Sequence, residues 1–264
     1  MAGLRRIFKR IGTSRLVHNG GWEIKDRSMT HPPGWKSRLC IVLVLAGVAG
    51  AAEYTIDTAE SLFAVVVHKG GIAARFAHNH LVVAQAYAAK LSIAGTDPAT
   101  IRFDVDIEAA QLQVDAPEAH TKWYPEIAEA GILDEPFKPL DDADRKTIAE
   151  HMLAKGQLDV KQFPRISAKV VEVREERGTY LEREYTHVVT LDFTVHGTSV
   201  QRECPARIVI EDGRVKVDAV GAFTFSGFGI KPYSAMAGAV KNRDEFHVFV
   251  RVRALAEGTG AQDE

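Results

Sequence analysis

Residues 189–195, Val-Thr-Leu-Asp-Phe-Thr-Val, followed by His196-Gly197-Thr198, set the reading of the whole chain. Val189, Leu191, Phe193 and Val195 fall on every second position, with Thr190, Asp192 and Thr194 between them. Successive side chains of a strand point to opposite faces, so this spacing makes one oily face and one wet face. The same rhythm returns at Ile101, Phe103, Val105 and Ile107, set against Arg102, Asp104, Asp106 and Glu108. It returns again at Val215, Val217, Ala219, Phe223 and Phe225, and at Phe246, Val248, Val250 and Val252. His196-Gly197-Thr198 and Asp212-Gly213-Arg214 are short enough to fold neighbouring runs into tight antiparallel hairpins.

Further runs at 61–68, 81–93, 165–174, 180–188 and 200–211 bring the expected total to about eight strands. A sheet of that size removes its exposed edges by closing on itself, and the tube can hold one small ligand. The fold class expected is therefore all-β, an antiparallel eight-stranded barrel spanning residues 53–256, with residues 257–264 as a loose tail. One stretch departs from the rhythm. Asp141-Asp-Ala-Asp144 reads as a helix start, Ile148 and Met152 lie one turn apart, and Gly156 reads as a stop. This helix is expected to lie over an open end, with a second short helix or an ordered loop around Trp123, Tyr124 and Ile127. Leu81, Val83, Tyr87 and Leu91 oppose the small residues Val82, Ala84, Ala86 and Ala88, so this strand is apolar on both faces. Either another element covers its outside, or the small residues leave room for a ligand.

Composition is that of a globular protein, 46% hydrophobic and 26% charged, which excludes disorder as the default. The first 52 residues carry nine Lys/Arg against Glu23 and Asp26. Removing them from totals of 33 basic and 35 acidic residues leaves 24 and 33, a net charge of −9. That sign argues against nucleic acid as a partner. Residues 36–52 show the three parts of a secretory signal: Lys36 and Arg38, an apolar run from Leu39 to Val48, then Ala49-Gly-Ala51. The run is shorter than the roughly 20 residues of a membrane-spanning helix. Residues 29–51 are therefore expected to be a cleaved signal peptide that leaves no stable span, and 1–28 an over-called start or a basic disordered segment. Cys40 would be removed with the signal. Cys204, beside Pro205, is expected to be a small buried hydrophobe.

Tyr54-Thr-Ile-Asp57 with Ser61-Leu-Phe-Ala-Val65, Ala149-Glu-His151-Met-Leu153, Leu158-Asp-Val160 with Phe163-Pro164, the 189–198 stretch, Phe228-Gly-Ile230-Lys-Pro232 and Asp244-Glu245 occur in an order that resembles the YceI-like family. These are polyisoprenoid-binding or lipid-binding, lipocalin-like exported bacterial proteins. The resemblance implies a lipocalin-like barrel, a lumen for an isoprenoid or other lipid tail, a periplasmic or secreted location, and no catalytic residues. Two departures concern the mouth of the barrel. Residues 111–144 form a long insertion, and Leu158-Asp159 stands where the family has a Phe-Phe pair.

The function expected is non-catalytic carriage or sequestration of an apolar chain: an isoprenoid quinone, a polyisoprenoid or a fatty acyl compound. No other cofactor is expected. No nucleophile elbow, P-loop, dinucleotide fingerprint or His-Glu-x-x-His motif occurs. The residues expected to meet ligand are His78, His80, Phe103, His151, Met152, Phe193, Phe223 and Phe225. His78 and His80 lie two apart, as a metal or headgroup site would need, but two ligands make no metal centre. A third would have to come from His68, His151, His196 or Asp57, so a hydrogen-bonded pair at the mouth is expected in place of a metal. The rival readings are a metal-binding protein or enzyme built on that pair, and a stress-response module whose barrel is filled by its own side chains.

Overall fold

The alternating runs become long, hydrogen-bonded strands in the computed structural model, which describes residues 50–133, 135–181 and 183–257. In chain order these are β1 (Ala51–Ile56), β2 (Leu62–Gly70), β3 (His80–Ala84), β4 (Tyr87–Ala94), β5 (Arg102–Glu108) and β6 (Leu112–Val114). Two helices follow, α1 (Pro117–Glu129) and α2 (Asp142–Leu153). The rest are β7 (Arg165–Tyr180), β8 (Arg183–Val195), β9 (Thr198–Glu211), β10 (Arg214–Thr224), β11 (Ser234–Ala235) and β12 (Val240–Ala256). The order β1-β4-β5-β7-β8-β9-β10-β12 returns to β1 through β12, an eight-stranded antiparallel closed barrel as the alternation requires. The expected signal peptide, residues 29–51, and the segment 1–28 lie outside the described residues except for Gly50 and Ala51. So does the tail beyond Glu257.

Three lanes of the barrel are each split in two. β1 and β2 both pair with β12, β1 and β2 pair in turn with β4 and β3, and β4 and β3 pair with β5 and β6. The 81–93 run is thus two strands, and the bend at Gln85-Ala86 corrects the single-strand reading. Before it, Val82 and Ala84 face the lumen while Leu81 and Val83 face outward. After it, Tyr87, Ala89, Leu91 and Ile93 face inward, and Ala86 and Ala88 are exposed. One extra residue moves the whole side-chain set to the other face.

The outer face of β2 and β3 is covered, which decides between the two alternatives left by the sequence. Trp123 and Ile127 of α1, with Ala130 and Ile132, pack on Leu62, Val66, Leu81, Val83 and Phe249 as a second core. Asp141 caps α2 by accepting a hydrogen bond from the Asp144 N–H at 2.8 Å. At both two-residue turns the two central residues are left-handed: His196 (φ 52°) and Gly197 (φ 71°), Asp212 (φ 49°) and Gly213 (φ 69°). That geometry matches the twist of the flanking strands. The run 180–188 is divided: Tyr180 ends β7, Leu181 (φ 48°) lies in the turn, and residues 183–188 continue without a break into 189–195 as one strand, β8.

If α1 holds the outer core, Ile127→Ala at this fully buried position should cost about 2–5 kcal/mol in denaturant unfolding. Glu118→Ala on its exposed side should stay within about 0.5 kcal/mol. Equal effects would show that the helix does not seal the sheet.

Candidate ligand cavity and a histidine–aspartate cluster

Inward alternation on eight strands leaves two adjoining spaces that share part of their lining. The deeper, of about 130 Å³, is lined by apolar side chains, among them Phe63, Phe103, Val105, Leu191, Ala219 and Val250. Cys204 and Gly221 complete one wall. A Cβ on Gly221 would stand 2.5 Å from Cys204 Sγ, so glycine lets the thiol pack there. Burial pushes that thiol up to about 12, and it serves as a neutral, small apolar group.

The outer space, about 290 Å³, has a different wall. Val67, Ile148, Met152, Phe225, Phe228 and Phe246 are joined by the polar groups of His80, Thr147, His151, Gln157 and Asn242. Val65, Val82, Leu112, Ile166 and Phe193 border both spaces, so Phe193 stands at their junction. The mouth exists because β7 pairs with β5 but not with β6. Where that ladder is missing, α2 and the following loop supply the wall.

Of the residues singled out by sequence, Phe103 and Phe193 line the lumen, and His80, His151, Met152, Phe193 and Phe225 line the mouth. His151 lies against Tyr233 with ring centroids 5.4 Å apart. Phe223 borders neither space. It is 1% exposed, packs edge-on against Phe193 at 5.2 Å and stacks on Phe246 at 6.1 Å. Its inward direction was legible, but neighbouring rings occupy the space before it. Phe228, not singled out by sequence, packs against Phe193 at 5.5 Å and reaches the mouth wall.

His78 lies in the coil before β3, outside both walls, with its ring centroid 4.8 Å from that of His80. The group that joins them is Asp115, which no local motif marks in the sequence. Its backbone is left-handed (φ 49°) at the end of β6, and its N–H donates to the Leu81 carbonyl at 2.8 Å. The carboxylate accepts the Leu81 N–H at 2.8 Å, His80 Nδ1 at 2.6 Å and His120 Nε2 at 3.2 Å. Burial alone would raise this carboxyl, but hydrogen bonds from His120, His80 and Leu81 and the His80 charge outweigh it and hold it at about 2. His78 is shifted below the usual histidine value, first by burial and then by His80. The third ligands suggested by spacing are elsewhere: His68 bonds His247 at 2.8 Å, His196 packs on Phe163, and Asp57 accepts the N–H groups of Ala59 and Glu60.

The model of the YceI-like domain matches residues 54–254. The chain belongs to the YceI-like family. BcnA of Burkholderia cenocepacia has a similar solved structure, at 14% identity and a TM-score of 0.50, covering 75% of this chain and 99% of that one. The YceI protein of Campylobacter jejuni has 14% identity and a TM-score of 0.42, covering 67% of this chain and 84% of that one. A polyisoprenoid-binding domain from Saccharophagus degradans, implicated in plant cell wall breakdown, has 8% identity and a TM-score of 0.43, covering 78% and 99%. At these identities the likeness to BcnA concerns the fold. Among curated proteins none matches the chain significantly. Among the described residues no helix is long and apolar enough to cross a membrane.

Asp115 links the cluster to stability. A carboxyl held at about 2, against 3.8 ordinarily, favours the folded state above the ordinary value, and that advantage fades as pH falls towards 2. Wild type should therefore lose about 2 kcal/mol more than Asp115→Asn between pH 5 and pH 2 in urea unfolding. Parallel pH profiles would mean that the carboxylate is not held this way.

Proposed function

We propose that the protein is an exported, non-catalytic carrier that shelters an apolar chain, such as an isoprenoid quinone, a polyisoprenoid or a fatty acyl compound, in its barrel. The observation that carries this reading is the uncharged lumen beside an outer space whose wall adds a few polar groups, from β3, α2, the loop after it and β12. Water gains few hydrogen bonds against such walls, and an apolar cavity of roughly 150 Å³ stays dry and takes up small hydrocarbons. Each CH₂ moved from water into it contributes about 0.8 kcal/mol. The mouth approaches the roughly 300 Å³ lower end of small-molecule sites. A tail threaded past Phe193 would leave its polar end near His80, His151, Gln157 and Asn242. A neutral imidazole there can donate to a carbonyl or accept from a hydroxyl.

The N-terminal pattern supports a periplasmic or secreted location, with residues 29–51 removed as a signal peptide. Cleavage after Ala51 keeps Tyr54–Ile56 paired to β12. Sequencing the secreted form should give Ala52 or Glu53 as its first residue; an intact Met1 or Met29 terminus on exported material would overturn the signal assignment.

The carrier reading is tested by native mass spectrometry and organic-solvent extraction of protein purified without detergent. A copurified lipid is expected, and it should be lost in Ala219→Phe, which fills the lumen from β10, while circular dichroism shows the barrel intact. Wild type that yields no extractable apolar compound and takes up none from a panel of quinones and fatty acids would defeat the proposal.

A further inference from the structure

His78, His80 and Asp115 each offer one donor atom, and the three lie within 4.8 Å of one another. Small rotations of two imidazoles close such a spacing onto the roughly 2.0–2.2 Å bonds of zinc. Asp115 is fixed for this role: Oδ1 is held by the Leu81 N–H and by His120, while Oδ2 faces the imidazole of His80. Its side chain is 1% exposed, and that of His80 is 18% exposed. His78 Nε2 is buried and has no hydrogen-bond partner among the described residues. A buried nitrogen without a partner loses the hydrogen bonds it would make in water. Beside a second imidazole and a carboxylate, it forms an incomplete donor set.

We infer that His78, His80 and Asp115 bind one divalent transition-metal ion of the zinc class, with His120 orienting the carboxylate. Two imidazoles with one carboxylate suit zinc, cobalt, nickel or copper, whereas calcium and magnesium prefer all-oxygen sets. A hydrogen bond from a neighbouring histidine to a ligating carboxylate is the kind of outer support that fixes a ligand's direction. The ligands come from the coil before β3 (His78), from the first residue of β3 (His80) and from the residue just after β6 (Asp115), segments the β3–β6 ladder holds side by side. None of the three donors lines the apolar lumen, although His80 also belongs to the wall of the mouth, so metal and lipid are read out separately.

The test uses the whole chain as exported, stripped with chelator. It is titrated with Zn²⁺ by calorimetry and with Co²⁺ by visible absorption, which reports the geometry of imidazole and carboxylate ligands directly. One equivalent of saturable binding is expected. His78→Ala, which removes no hydrogen bond made by Nε2, should weaken it at least ~10-fold. His80→Asn, which keeps a donor towards Asp115, should do the same, and His68→Ala on the outer face should leave it unchanged. Circular dichroism of each variant reports folding, so that His80→Asn decides the matter should His78→Ala fail to fold. No saturable binding, or binding that persists unweakened in the folded histidine variants, would overturn the site. Copurified lipid is scored separately, so a missing metal and a missing lipid are distinguishable results.

Discussion

Closure of the barrel depends on the two-sided pairing of β12. This 17-residue strand carries β10 along one edge, while its other edge is divided between β1 and β2. β1 contributes only three pairs there, Tyr54 to Ile56 against Ala256 to Ala254. Between β1 and β2 the chain leaves the ladder, and the β12 backbone would lose its partners at Arg253. Asp57 N–H donates to the Arg253 carbonyl at 2.8 Å, and the buried Ser61 hydroxyl accepts the Arg253 N–H at 3.0 Å. The break is thus bridged without an orphaned backbone group, which a buried sheet cannot tolerate cheaply. With that seam held, the inward residues of all eight lanes face one another, and a lumen follows from geometry.

The same break gives β2 and β3 their double burial. A barrel strand ordinarily has one wet face, and β4 and β5 keep one, with Ala88, Lys90 and Asp104 exposed. β2 and β3 lie under α1, so Leu62, Val66, Leu81 and Val83 are apolar on the outside as well. The long insertion after β6 therefore has two tasks. Its first helix seals an outer face, and its second takes the place of the missing β6–β7 ladder at the mouth.

How much was legible follows from how local each feature is. The hairpins at 196–197 and 212–213, the cap at Asp141 and the lumen positions of Phe103 and Phe193 rest on spacing within a few residues. The phase change at Gln85-Ala86 was invisible, because one added residue among alanines and valines alters no composition. Asp115 was passed over for a related reason. Its meaning comes from lying across the sheet from Leu81, 34 residues earlier, and the nearby signal, an aspartate before Ala116-Pro117 with His120 one turn into a helix, reads equally well as a loop. Phe223 shows the opposite failure. Alternation gave its direction correctly, but in a barrel this narrow several inward rings meet, and only those at the front touch free space.

Asp115 also shows why cluster and mouth cannot vary separately. Its carboxylate holds the Leu81 backbone with one oxygen and the His80 ring with the other. Leu81 points into the outer core under α1, while His80 points towards the mouth. One buried charge thereby fixes both the register of β3 against the end of β6 and the tautomer of His80, since an ionised carboxylate only accepts and so calls for a proton on Nδ1. The direction in which the His80 ring is held at the mouth is therefore set at the β3–β6 junction and not by the aromatic rings around it.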